Sequence, residues 1–200
     1  IEDPVEYRLE GITQTQTEAR RDYGFLDGLR AALRQDPDVI MVGEIRDAET
    51  ARVAIQSALT GHLVFSTLHT NNAAGVIPRL IDLGVNPKIM VSALALSIAQ
   101  RLVRRLCIYC KIEKESDEKE TNIIKSIIRG IEEEGKNLEK YNINKNTIEN
   151  SLKLFTHIGC EKCNMTGYKG RIGIFEAIKT DENIEKIISE NPSEREIKKV

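Results

Sequence analysis

Two cysteine pairs, Cys107-x-x-Cys110 and Cys160-x-x-Cys163, set the tightest condition on how this chain can fold. Four thiolates arriving as two such pairs match the tetrahedral demand of structural zinc, each pair forming a knuckle that supplies two ligands. Disulfides or plain core cysteines satisfy the same spacing and stay open as alternatives; a thioredoxin-type redox site needs only one pair. Convergence of the sulfurs makes the 49 residues from 111 to 159 a closed excursion, longer than the usual zinc-ribbon gap. Gly159 before the second pair and Gly167 after it suit tight turns.

The same point divides the composition. Residues 1 to 106 hold eleven Arg and one Lys, whereas 107 to 200 hold three Arg and fourteen Lys. The expected organisation is therefore one piece over 1–106, a tetracysteine piece over 107–170 with an insertion at 113–153, and a strand and helix region from 171 to 200. The chain opens on Ile1-Glu2-Asp3-Pro4 with no leader and closes at Lys198-Lys199-Val200, inside a helix begun by the capping box Ser193 to Glu196; it reads as an excised piece.

Hydrophobic spacing gives the first piece an α/β pattern. Leu26, Leu29, Ala32 and Leu33 share a face over 25–35, predicting a helix, and the apolar run Val39 to Val42 behind Pro37 predicts a buried strand. Helical period returns over 48–59 and stops at Gly61, and His62 to Leu68 reads as a second strand. Strand, helix and strand with short joins form a βαβ unit, which builds a parallel sheet. Helices are expected at 72–83 and at 87–105, the latter capped by Asn86 with Pro87 in its first turn. The insertion carries one amphipathic stretch, Ile123 to Ile131. A strand over 171–178 and a helix over 181–190 follow.

Three stretches of the first piece carry candidate chemistry. In Asp36 to Asp47 an apolar strand delivers Glu44 at its carboxyl end, as nucleotide-hydrolysing α/β folds place an acid beside Mg²⁺ or an attacking water; Gly43 stands where many such strands carry Asp. A buried strand followed by helix-starting acids would look the same. Glu2-Asp3-Pro4-Val5-Glu6 adds carboxylates on an extended stretch, with Glu2 and Glu6 on one face but ~13 Å apart, so they form no close dyad alone. Thr60 to Asn71 brackets a strand with His62 and His69, ~23 Å apart if extended. His69 lies at the carboxyl edge, where α/β sheets bind ligands, although a lone strand-end histidine is more often a capping residue. Gly130 to Asn137 matches the spacing of a phosphate loop. Asn137 replaces its Ser or Thr, and three glutamates would repel phosphate, so this match is rejected.

In this order the motifs resemble the secretion-superfamily motor ATPases that assemble type IV pili and drive type II secretion. Ile1 to Tyr7 looks like their acidic box, Asp38 to Asp47 their Walker B segment and Thr60 to Asn71 their histidine box. The cysteines, with Gly167 to Glu176 behind them, are similar to the zinc subdomain of the assembly branch. The resemblance implies a partial RecA-like parallel-sheet ATPase core, a small tetracysteine zinc subdomain and a helical carboxyl-terminal piece. It implies ATP, Mg²⁺ and Zn²⁺ as cofactors. Glu6 would activate water, Glu44 would act on the metal through water, Glu2 would support the site, and His62 and His69 would sense the γ-phosphate or link it to the neighbouring subunit. Cys107, Cys110, Cys160 and Cys163 would hold zinc. The implied assembly is a cytoplasmic homo-hexamer, peripheral at the inner membrane, working on an inner-membrane platform or assembly protein. The family's phosphate loop and arginine fingers lie upstream of the acidic box, so the fragment alone is expected to be inactive.

A zinc-stabilised docking module with a degenerate nucleotide site is the competing expectation. Nucleic-acid binding is disfavoured by a net charge of -2, a pI near 6.0 and 4% aromatic residues. No apolar run approaches the ~18 residues of a membrane-spanning helix.

Overall fold

The computed structural model describes residues 1–133 and 153–199. It divides into two units, Ile1–Gln100 with Phe175–Val200, and Arg101–Ile174.

In the first unit, α1 (Phe25–Leu33), β1 (Val39–Val42), α2 (Ala48–Leu59) and β2 (Leu63–Ser66) follow the expected order. β1 and β2 are parallel, with Val39 opposite Leu63 and Val42 opposite Ser66. The alternation of an extended chain turns Ile40 and Val42 inward, while Val39, Met41, Leu63 and Phe65 are each more than half exposed on the other side. α2 begins where Asp47 caps it, accepting from the Thr50 N–H at 2.8 Å and from Thr50 Oγ1 at 3.0 Å. Ile40 and Val42 pack in one core with Leu29 of α1 and Ala51 and Ala54 of α2. The main chain of Ile1 flanks β1: its N donates to the Met41 carbonyl at 2.7 Å and its O accepts from Gly43 at 2.8 Å.

Beyond β2 come α3 (Val76–Asp82), α4 (Pro87–Ala93) and β3 (Leu96–Leu106). Asn86 caps α4 as expected, accepting from Lys88 N at 2.9 Å. The single helix expected over 87–105 is corrected: Leu94 turns extended (φ -90, ψ 103) and residues 96–106 form a strand paired with β6 (Tyr168–Lys179). Leu96 and Ile98 alternate with the buried Ser97, a period-2 pattern inside residues that also fit a helical stripe. A distant strand partner decided between them. The helix expected over 72–83 is shorter, starting at Val76, because Asn72 and Ala73 are gripped instead by Glu194 and Glu176 at 2.8 and 3.2 Å. α6 (Glu182–Ser189) and α7 (Glu194–Ile197) complete the unit; Ile184, Ile188 and Ile197 are buried in the same core, and Ser193 and Glu196 form the expected capping box.

The second unit contains β4 (Lys111–Glu115), α5 (Glu118–Glu133) and β5 (Lys153–His157). β4 and β5 are antiparallel, running from Lys111 opposite His157 to Glu115 opposite Lys153. The ends of the expected insertion are thereby tied side by side. α5 realises the amphipathic stretch, with Ile128 buried. The rejected phosphate-loop match begins at the end of α5, and its remainder lies outside the described residues. No described helix is long and apolar enough to cross a membrane.

Candidate functional site

The parallel register of β1 and β2 brings two expected residues together at the carboxyl ends of the strands. Past the strands the ladder continues, with Ile45 N donating to Thr67 O at 3.0 Å and Thr67 Oγ1 to Gly43 O at 2.6 Å. Glu44 and His69 then meet, His69 Nε2 lying 2.9 Å from Glu44 Oε2. With the carboxylate as acceptor, Nε2 carries the proton. The Glu44 side chain is 14% exposed and that of His69 84%. Gly43 is explained by crowding: a Cβ there would stand 3.1 Å from both the Ile1 carbonyl and Phe25 Cε1.

Three residues that sequence reasoning left without a role, Arg46, Asp3 and Phe25, complete the cluster. Arg46 Nη2 hydrogen-bonds Glu44 Oε1, Nη1 lies 3.8 Å from Asp3 Oδ2, and the guanidinium carbon stands 5.6 Å from the centre of the Phe25 ring. The hydrogen bond from Arg46 is the main cause holding the Glu44 carboxyl below its usual range; burial opposes it, and the bond from His69 adds to it. The signal for Arg46 was its place two residues after Glu44, since alternate residues of an extended chain share a face.

The other expected residues lie elsewhere. Glu2 accepts from Gln14 Nε2 at 2.8 Å, and its backbone bonds Thr15 and Thr17, so the acidic stretch is held in an arch. Glu6 is exposed and makes no hydrogen bond or ion pair among the described residues. His62 Nδ1 is 3.0 Å from the Ser57 carbonyl and 3.2 Å from Thr60 Oγ1, binding the carboxyl end of α2.

The second cluster is the four cysteines, whose sulfurs all lie within 4.8 Å of one another. Cys107 and Cys160 are 3.9 Å apart, Cys110 and Cys163 3.8 Å, and Cys160 and Cys163 3.7 Å. A disulfide requires about 2.05 Å. Four thiolates about 2.3 Å from a tetrahedral zinc ion stand about 3.8 Å apart, so the donor set fits such an ion in number, chemistry and spacing. The β4–β5 ladder solves the long gap: it sets Ile158 N on the Cys110 carbonyl at 3.3 Å, one step past the Lys111–His157 pair. Cys107 N donates to Gly167 O at 2.9 Å. Gly167 has φ +75, and a Cβ on it would stand 1.9 Å from His157 Nδ1. Burial pushes the Cys110 thiol up to about 12. Burial also opposes ionisation of Cys163, but N–H groups of Cys160 and Gly167, at 3.3 and 3.2 Å from its sulfur, bring it down to about 6.

The family model described as "Type II/IV secretion system protein" matches residues 1–200. Type II secretion system protein E of Pseudomonas aeruginosa is 45% identical over 197 residues, 98% of this chain and 35% of that protein. Type IV pilus assembly ATPase PilB of Thermus thermophilus is 44% identical over 200 residues, 100% of this chain and 20% of that protein. The chain thus spans about a third or less of the length of these relatives. The crystal structure of the pilus retraction motor PilT with bound ADP shares the mixed α/β fold, with a TM-score of 0.56 and 30% identity over 95% of this chain and 40% of that one.

Proposed function

Because the chain belongs to the type II/IV secretion system protein family, we propose that it is the carboxyl-terminal part of a hexameric, ATP-hydrolysing motor that powers pilus or pseudopilus assembly or type II protein secretion. The observation that carries this is the Glu44–His69 contact at the carboxyl ends of two adjacent parallel strands, where α/β folds bind ligands. Glu44 is the acid that would act on Mg²⁺ through water, ionised because Arg46 and His69 both donate to it. Phosphoryl transfer is mostly positioning and charge neutralisation, which a fixed carboxylate and a strand-end histidine serve. Glu6 is proposed as the base for the attacking water; its exposed carboxylate, unpartnered among the described residues, is available to a substrate. Glu2 supports the arch that carries it, and His62 positions β2 from the end of α2.

In this reading the first unit is half of a RecA-like core and needs upstream chain for its phosphate loop, so the 200-residue piece alone does not turn over ATP. The four cysteines hold one structural Zn²⁺, and the motor works in the cytoplasm against the inner membrane. The test is Glu44→Gln in the full-length protein, which should lower kcat by on the order of a hundredfold or more while nucleotide still binds. Unchanged hydrolysis would remove Glu44 from the chemistry.

A second reading, a zinc-stabilised docking module with a degenerate nucleotide site, draws on Ile108, Tyr109, Ile158 and Met165, which are 59–68% exposed around the cysteine turns. Glu6→Gln separates the two: loss of hydrolysis with partner binding retained favours the motor, and unchanged hydrolysis favours the module.

A further inference from the structure

Arg46 stands among acids with two of them in reach, and nothing so far gives it work beyond keeping Glu44 ionised. Its fork is spread across two segments: Nη2 on Glu44 at the end of β1, Nη1 toward Asp3 in the stretch that also carries Glu2 and Glu6. Phe25 lies against the guanidinium and narrows the orientations open to it. Glu44 is held at both oxygens, Oε1 by Arg46 and Oε2 by His69. A carboxylate held from two sides has its plane fixed, whereas one held at a single oxygen still pivots. The main-chain bonds at Ile1 fix where the acidic stretch starts, and Asp3 is its next anchor toward β1.

We propose that Arg46 is a positioning residue that both orients Glu44 and tethers the Asp3–Glu6 stretch beside it. The inference rests on the nucleotide-hydrolysing reading of this site. A guanidinium reaches two separated carboxylates because its nitrogens diverge in a rigid plane; the three donors of an ammonium sit on one nitrogen, which would have to lie against both acids at once. The side chain is 57% exposed, so substituting it leaves the fold intact.

The test uses the full-length protein. Arg46→Gln should lower kcat by on the order of ten- to a hundredfold, because small misplacement of reacting groups is that costly, with the KM for ATP moving by less than about threefold. Arg46→Lys should recover only part of the loss, and Asp3→Asn should reproduce part of it. The second readout needs no nucleotide: amide exchange over residues 1–8 should quicken in Arg46→Gln and Asp3→Asn alike. Wild-type kcat in Arg46→Gln, full rescue by Lys, or exchange over 1–8 unchanged in both variants would overturn the proposal. If Glu44→Gln leaves hydrolysis intact, the motor reading fails by itself, and the exchange measurement still decides the tether.

Discussion

The two clusters are built on opposite principles. Around Glu44 the acid is mostly covered but its partners Arg46 and His69 are exposed, and it is already compensated: each of its oxygens has a donor, and the strand register sets the geometry. Around the cysteines the groups are mostly buried, with all four sulfurs within 4.8 Å of one another, one thiol pushed up to about 12 by burial and another brought down to about 6 by backbone N–H donors. The first cluster is held by its sheet. In the proposed reading a bound cation would stabilise four neighbouring thiolates in the second, whose turns have little core of their own beyond the cysteines themselves.

Metal removal tests that contrast most severely. Structural zinc supplies roughly 10–16 kcal/mol to small sites, so stripping it with a chelator should open residues 101–174 to protease and amide exchange while the first unit keeps its protection. Equal protection of both units, with metal analysis finding no zinc, would break the comparison. Next in size is Gly167→Ala, which places a methyl into His157 and an L side chain at φ +75. The cost should be about 1–3 kcal/mol from backbone strain alone, read as a lower denaturant midpoint for the second unit only. It should also disturb the edge-on packing of His157 and Tyr168, whose ring centres are 4.7 Å apart.

The smallest effect sharpens the first unit's side. Glu44 is held below its usual value of 4.5, chiefly by Arg46. A carboxyl depressed on folding contributes stability above its unfolded value and loses it as pH falls through the folded one. Wild type should therefore exceed Glu44→Gln in stability above pH 4.5, with the gap closing below it in acid titrations followed by circular dichroism. Arg46 and His69 are well exposed, so water screens much of the gain.

What could be read from residues alone follows from how local the cause is. β1, α2 and β2 were legible because a short apolar run, the helical period over 48–59 and a stop at Gly61 act within a few residues. The convergence of the four cysteines was legible because two C-x-x-C pairs suit one tetrahedral cluster, whatever chain lies between. β3 was not, since its partner strand starts at Tyr168 and the residues themselves fit either period. The arch of the acidic stretch was equally hidden: Glu2 is bound by Gln14 and Asp3 faces Arg46 through bends that extended-chain arithmetic does not contain. Hence the placing of Glu44 and His69 each at the carboxyl end of its strand was legible, their contact was not, and Arg46 was overlooked beside them.

The antiparallel rungs from Lys111–His157 to Glu115–Lys153 work as a clasp on a necklace. Beads strung past the clasp can be added or taken away, because closing a longer loop costs only about 0.6 kcal/mol per doubling of its length. Shortening or lengthening the chain beyond Glu115 and before Lys153 should thus leave the sulfur spacing untouched, which makes this stretch a place where tags and foreign segments can be grafted without disturbing either cluster.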